Sequence, residues 1–539
     1  RMRWWWRMGL RSTWFKSLLL LVIFLMMVGQ FTFMSPSSGG NDSPPLSEKA
    51  VGMGELQLLQ VDNSLQDNLI NPDLEKSISF KLINVNGDVQ IFDSQQKLLQ
   101  KDKTQETHRV PDSQISKQKT TVQSQTHKPQ IESLGFYGDW KEVLGTGRQM
   151  FVYSAYLDNR KQPRKVRIIT IAKKKYKVNK CQLYSNNNTI SVGAQTKVIK
   201  ESWNLQYAAT YVLCDVPGDF YPNYVALYNL NGKPDESSKV PVQDLSLNKR
   251  SHENSMSVCV KPFHYNFNRA VWLVEFIEFY RILGVDKFIF YNHTVGPDVE
   301  RVLRYYEKEN IASTLPWSLP VKSQKEIRTE GIFAALNDCN LRSVGHFAFS
   351  AMVDVDEFLI PRKHNTYQEL IKEQGDFDMY NFQNVFFYLY WDNDTAVHDA
   401  LHSSANGEVP LSQQLWGSEE KVPYLLTAYK TTRLNKPHKH GTRSKYIVRP
   451  ERVLECGNHV VWEHVGSKKV KNIPDSIGLS HHYRICEFGG FDCLKLPHQV
   501  DRIAHKWLIP LEKRVSSGCR NIFPDEPSCP VAPPLGSPW

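Results

Sequence analysis

Two aspartates two residues apart, in Asp354-Val355-Asp356-Glu357, close an apolar run at 346–353 whose aromatic and aliphatic residues read as a buried strand. On an extended chain residues i and i+2 point the same way, so this strand tip is expected to aim Asp354 and Asp356 at one point. Two carboxylates at one point repel unless a cation joins them or one keeps a proton. Hard divalent cations take oxygen ligands and tolerate such a site. In α/β proteins ligands bind in a crevice beyond the strand tips. The pair therefore predicts a metal and a phosphate-bearing ligand.

Other chemistries use paired acids. A haloacid-dehalogenase-like phosphatase has Asp-x-Asp on its first strand, with Thr or Val two positions on, where this chain has Phe358. A calcium-binding EF-hand loop needs a Gly and a distal Glu at offsets absent here. A glycoside hydrolase needs carboxyls flanking a sugar from opposite faces, and acids two residues apart stand too close. An inert strand end without metal has no need of the third acid, Glu357. What remains is a nucleotide-sugar transferase, in which a cation bridges the diphosphate and stabilises charge on the departing nucleotide.

The elements that position the pair follow a βαβ rhythm. Strands are expected at 258–260, 287–291, 311–315 and 347–353, and helices at 268–283, 298–309 and 323–341. In the first helix Val271, Trp272, Val274, Ile277 and Tyr280 form the apolar side and Gly284 the C-cap. Alternation of this kind implies an α/β fold, a mostly parallel sheet with helices on both faces. The aspartates thus follow three βα units, the layout of the GT-A fold. Further strands are expected near 385–390 and 446–448. Ahead of this domain, short runs at 151–156, 166–171 and 207–213 predict a small β-sandwich-like domain that binds glycan or packs against its neighbour.

The N-terminus carries Arg1, Arg3, Arg7, Arg11 and Lys16 before an uncharged stretch at 17–34, with Trp4, Trp5, Trp6 and Trp14 at its near edge. About 20 apolar residues span a bilayer, so a single-pass signal anchor with a lumenal C-terminal side is expected. A cleaved signal peptide is the competing reading, and it lacks a small-x-small site. Residues 35–130 are rich in Ser, Gln, Asp and Lys and read as a mostly disordered stem. The resulting division is a cytosolic tail (1–16), an anchor (17–34), a stem (35–130), a β-rich accessory domain (131–250), a GT-A-like catalytic domain (251–525) and a C-terminal tail (526–539). Sequons at Asn41, Asn187, Asn292 and Asn393 suit a lumenal chain, and Asn187, Asn292 and Asn393 are the expected glycosylation sites. Nine cysteines without a CxxC pair read as disulfides plus a leftover thiol, and Cys181 and Cys214 flank one β-rich stretch. The net charge of +10 sits in local clusters such as 1–11 and 430–452, not in the broad basic stripe that nucleic acid requires, so no nucleic-acid partner is expected.

The chain resembles glycosyltransferase family 92 over roughly residues 150–520. The resemblance is carried by 152–160, Cys259-Val260-Lys261-Pro262, 274–285, Asn337-Asp338-Cys339, Asp354-Val355-Asp356-Glu357-Phe358, 445–450 and His482-Tyr483-Arg484, in that order and spacing. It implies a Golgi enzyme that uses UDP-galactose and Mn²⁺ and forms β1,4 linkages on galactose or fucose of glycoprotein glycans, with inversion. Galactose specificity does not come from composition or spacing.

Several further residues are candidates. His482 is the expected third metal ligand beside Asp354 and Asp356, since mixed oxygen and imidazole ligands suit Mn²⁺; His459, His464 and His481 compete with it. An inverting transfer needs a base for the acceptor hydroxyl, and Asp392, Asp394, Glu419 and Glu420 are the candidates. Trp416 is expected to stack on the acceptor sugar. In the basic segment 430–452, Arg443, Lys445 and Arg449 are placed on the diphosphate, with a solvated loop as the competing reading. Asn337 and Asp338 are expected to meet the nucleotide or to cap and pack the helix. A glycan-binding membrane protein without turnover is the alternative of a different class.

Overall fold

Alternation in Met256-Ser257-Val258-Cys259-Val260 decides how the centre of the molecule is layered. Met256, Val258 and Val260 join one core and Cys259 the core on the opposite face, as the two-residue period of a strand requires. A computed structural model describes residues 138–535 except 187, 202, 230–231, 246–252, 404–408, 418–420 and 488–489. The cytosolic tail, anchor and stem expected at 1–130 lie outside the described residues. Among those described, no helix is long and apolar enough to cross a membrane.

The first strands are β1 (Lys141–Glu142), β2 (Met150–Asp158), β3 (Lys165–Lys173), β4 (Lys180–Tyr184), β5 (Thr189–Val198), β6 (Tyr207–Asp215), β7 (Tyr224–Tyr228) and β8 (Val240–Asp244). They lie in the order β1-β2-β3-β6-β5-β4-β7-β8, and β8 pairs back on β2 in parallel, Ala155 opposite Val242. The expected sandwich is therefore a closed barrel. The closing pair joins strands distant in sequence, which no local pattern records, and closure leaves the ring without an open edge. Val166, Ile168 and Val212 point into the barrel, while Tyr153, Ile169 and Tyr211 pack outward against the next layer. Both faces of β2 and β3 are covered, so the two strands read as continuous apolar runs.

The βα units follow as β9 (Met256–Val260), α1 (Ala270–Ile282), β10 (Lys287–Asn292), α2 (Pro297–Lys308), β11 (Ala312–Pro316), α3 (Ile332–Ser343) and β12 (Phe349–Val353). α2 begins with Pro297 at its first position and buries Val299, Val302, Leu303 and Tyr306, an i, i+3, i+4, i+7 stripe. α3 starts later than the expected 323, because Thr329, Glu330 and Gly331 sit at φ of 45°, 50° and 71°, left-handed conformations a right-handed helix cannot continue through.

The remaining elements are β13 (Glu357–Pro361), α4 (Tyr367–Gln374), β14 (Met379–Phe382), β15 (Asn384–Tyr388), α5 (Ala396–His402), α6 (Leu411–Trp416), α7 (Leu426–Tyr429), β16 (Thr432–Leu434), β17 (Lys445–Val448), β18 (Val453–Cys456), β19 (Val461–His464), β20 (Val470–Ile473), β21 (Gly478–Arg484), β22 (His498–Val500) and α8 (Leu508–Ile522). The central sheet runs β11-β10-β9-β12-β17-β14-β20, with β17 antiparallel to both neighbours, and β13, β21 and β15 form a second small sheet. One face of the central sheet packs on α1, α2 and α8, and the other on α3 and the barrel.

Disulfides join Cys181 to Cys214 in the barrel, Cys259 to Cys339 between β9 and α3, Cys486 to Cys493, and Cys519 to Cys529; Cys456 is buried outside them. The expected tail from 526 is tied down as far as it is described. Cys529 is bonded to α8, and Arg269 donates to the carbonyls of Pro533 and Pro534 at 2.6 and 2.9 Å.

Candidate active site

Asp354 to Glu357 form a tight turn between β12 and β13, not the extended tip expected from spacing. The Glu357 N–H donates to the Asp354 carbonyl at 3.1 Å, and the Asp354 N–H donates to Glu357 Oε2 at 3.0 Å. What gathers side chains around the turn is strand register. Parallel pairing of β9 with β12 sets Val260 opposite Val353, so Lys261 emerges beside Asp354. Antiparallel β17 sets Tyr446 opposite Met352 and brings Lys445 to the same end. β21 sets His482 opposite Glu357.

The contacts are close. Lys445 Nζ lies 3.1 Å from both Asp354 Oδ1 and Glu357 Oε2, and Lys261 Nζ 3.6 Å from Asp354 Oδ2. His482 Nε2 is 3.4 Å from Asp356 Oδ2, and its Nδ1 is 3.2 Å from Glu357 Oε1. The imidazole is thus held between two carboxylates, Nδ1 toward Glu357 and Nε2 toward Asp356. Asp356 Oδ1 is buried and accepts no hydrogen bond from the protein.

Burial pushes the Asp354 carboxyl up, but Lys445 and Lys261 outweigh it and hold the group well below the usual carboxylate range. Burial likewise opposes ionisation of Asp356, and His482 reverses the balance. For Glu357 burial prevails, helped by Asp354, and its pKa is raised. Burial and the charge on Lys445 push His459 down to about 4, so this imidazole is neutral near pH 7.

These groups line a cleft of about 320 Å³. Five cations, Lys261, Arg328, Arg443, Lys445 and Arg484, stand against the carboxylates of Asp354, Asp356 and Glu357. Such a surface fits a ligand with a diphosphate and a divalent cation. Among the described residues, no group of three or more His, Cys, Asp or Glu side chains is arranged to hold a metal ion. Asp356 Oδ1, the Nε2 of His482 and the Asp354 carboxylate are oxygen and imidazole donors whose chemistry would suit such a cation.

The other expected site residues are dispersed. Arg443, at φ 56°, lines the cleft, pairs with Glu487 and lies 5.6 Å from the Phe386 ring centre. Arg449 stands one residue beyond the far end of β17, where it pairs with Asp376 at 3.0 Å and covers Phe349. At about 3.3 Å per residue, one strand thus separates two members of the same basic run by roughly 13 Å. Asn337 is fully buried: Tyr211 and the Cys456 N–H donate to its oxygen, and its nitrogen donates to the carbonyls of Phe333 and Cys456. Asp338 is equally buried, accepting from Ser154, Tyr156, Tyr291 and Arg342. Both pack α3 against the barrel and β18, and neither reaches the cleft.

Asp394 caps the start of α5 and is held by Arg502 at 2.6 Å and Thr431 at 2.6 Å, while Asp392 is exposed outside the cleft lining. Neither is placed to act as a base there. Glu419 and Glu420 lie outside the described residues, as does Asn187. Trp416 donates its Nε1 hydrogen to Ser516 and lies under Arg520, so it packs α6 on α8 and faces no cleft. Asn292 ends β10 half-buried, with its side-chain oxygen enclosed, whereas Asn393 is exposed and accepts from Tyr424.

Sequence reasoning did not single out Lys261, Arg328 or Arg484 as site residues. Only Lys261 carried a local signal, its place just past the tip of a strand that pairs beside β12.

Residues 254–518 match the sequence model of glycosyltransferase family 92. A beta-1,4-galactosyltransferase of Caenorhabditis elegans, galt-1, is 22% identical over 231 residues, covering 41% of this chain and 53% of its own. A family 92 protein of the same organism is 30% identical over 128 residues, 22% of this chain and 25% of its own. A family 92 protein of Ricinus communis is 23% identical over 297 residues, 54% and 44% of the two chains. The chain therefore spans about half the length of these relatives or less. Among solved structures, glucosyl-3-phosphoglycerate synthase from Mycobacterium tuberculosis, in complex with Mn²⁺, UDP and glucosyl-3-phosphoglycerate, covers 50% of this chain and 80% of its own at 12% identity. Its TM-score of 0.19 does not establish a shared fold.

Proposed function

The chain carries a glycosyltransferase family 92 domain, and on that premise we propose a metal-dependent transferase that moves galactose from UDP-galactose to a terminal galactose or fucose of a glycoprotein glycan. The reaction inverts the anomeric carbon and forms a β1,4 linkage, and the nematode relative, a beta-1,4-galactosyltransferase by name, supports the linkage. We place it in the Golgi membrane as a single-pass type II protein anchored by residues 17–34, with the described domain lumenal.

The observation that carries this reading is the acidic turn at 354–357, with its orphaned carboxylate oxygen, inside a cleft of five cations. Asp354, Asp356 and His482 would hold Mn²⁺, which when bound supplies a Lewis acid for the leaving diphosphate. Lys261, Lys445 and Arg443 neutralise phosphate oxygens and hold the donor in place. Lys445 also keeps Asp354 ionised, and Glu357 orients the His482 ring. As the acceptor oxygen attacks the anomeric carbon its proton passes to a base, and UDP departs from the opposite side. Glu419 and Glu420 are the acids we retain for that role. Of the described sequons, at Asn292 and Asn393, Asn393 is the more exposed for modification.

The test is purified protein assayed with a panel of UDP-sugars and glycan acceptors. We expect galactose transfer that EDTA abolishes, and transfer surviving saturating EDTA or Asp356→Ala sinks the metal role. One observation favours a glycan-binding protein without turnover: Lys445 already neutralises Asp354 and Glu357. Glycan binding with no affinity for UDP in the presence of Mn²⁺ would select that reading.

A further inference from the structure

The loop after β5 carries barrel residues to the edge of the cleft. Glu201 accepts from the Asn458 N–H at 3.0 Å, and Asn458, which lines the cleft, accepts from Lys445 at 3.0 Å. Two residues further on, Trp203 is 59% exposed. Arg328, another lining residue, places its Cζ 4.4 Å from the Trp203 ring centre. Trp203 also sits at φ 51°, a left-handed conformation that a bulky side chain adopts only under constraint. The chain thus holds a large ring in solvent, in an unfavourable backbone state, against a residue of the cleft wall.

From this we infer that Trp203 is a platform for the acceptor, a terminal hexose of a glycan, and that the barrel thereby supplies part of the acceptor subsite. The inference rests on the proposed transferase reading and deepens it. One face of the indole lies under Arg328; the C–H face of a hexose packs on the opposite, electron-rich face, and hydroxyls at the ring edge meet guanidinium donors such as those of Arg328. Of the proposed diphosphate partners Lys445 is buried and Lys261 half-buried, whereas Trp203 lies in solvent, the side from which an acceptor arrives. Trp416, the aromatic expected in this role, is committed to Ser516 and Arg520.

Trp203→Gly is the informative variant, because φ 51° suits glycine and the change does not strain the loop. We expect the KM for a galactose-terminated acceptor to rise about tenfold, UDP affinity in Mn²⁺ to stay within about twofold, and Trp203→Phe to recover most of the loss. An unchanged acceptor KM overturns the assignment, and so does a change in UDP affinity without one in acceptor KM. If the wild-type chain transfers to no glycan, the transferase reading fails by itself. Direct calorimetric titration with the same oligosaccharide then decides the inference: binding lost in Trp203→Gly upholds it, and binding retained, or absent from wild type, overturns it.

Discussion

Asp338 and Asp356 are both buried carboxylates of the same domain, and they do opposite things. Asp338 takes hydrogen bonds from Ser154, Tyr156, Tyr291 and Arg342, so each oxygen is satisfied and the group ties α3 to the barrel and to β10. Among the described residues, the Asp356 carboxylate meets His482 alone, and its second oxygen is buried without a donor at the wall of a cationic cleft. A buried charge left incomplete costs stability, so its persistence calls for a missing partner. Donor count rather than burial separates the acid that builds the fold from the acid we propose as a metal ligand. Glu512 refines the rule. Its Oε2 is also orphaned, but burial and Glu275 raise its pKa to about 8, so it keeps a proton instead of a ligand.

The comparison breaks first at Asp338. Asp338→Asn strands the Arg342 charge in the interior and is expected to cost about 3–5 kcal/mol of stability, read by denaturant unfolding, with UDP affinity of the folded fraction unchanged. Asp356→Asn should do the reverse. Transfer falls by about 10²–10³-fold, while stability changes by less than about 1 kcal/mol. The two ends of β17 offer a smaller contrast. Lys445→Met weakens UDP binding by about 10- to 100-fold, whereas Arg449→Ala leaves it unchanged, as titration would show.

Glu512 supplies a pH test. Its folded pKa of about 8 lies above the ordinary 4.5, so the folded state holds a proton that the unfolded chain releases. Stability from this group is complete below the ordinary value and is lost as pH rises toward 8. Glu275, raised by burial to about 7, acts in the same direction. Unfolding midpoints between pH 5 and 8 should decline in the wild type and less steeply in Glu512→Gln, where Glu275 alone remains.

Much of the central sheet was legible because strands and amphipathic helices leave local periods. β9, β10, β11 and α1 begin and end within about two residues of their expected places, the usual uncertainty of element ends. The site was less legible, because what assembles it is register between distant strands. Lys261 reaches Asp354 through the β9–β12 pairing, and His482 reaches Glu357 through β13–β21. The same limit hid the barrel, whose closing β2–β8 pair is non-local. Asn337 and Asp338 misled because a polar pair before the acidic turn looks alike whether it faces a ligand or Tyr211 and Tyr291.

The most direct measurement is calorimetric titration of UDP into the purified chain, with and without Mn²⁺, for wild type and Asp356→Asn. The account predicts binding to the wild type that requires the cation and is lost in Asp356→Asn. UDP binding that is indifferent to both Mn²⁺ and Asp356 would contradict it.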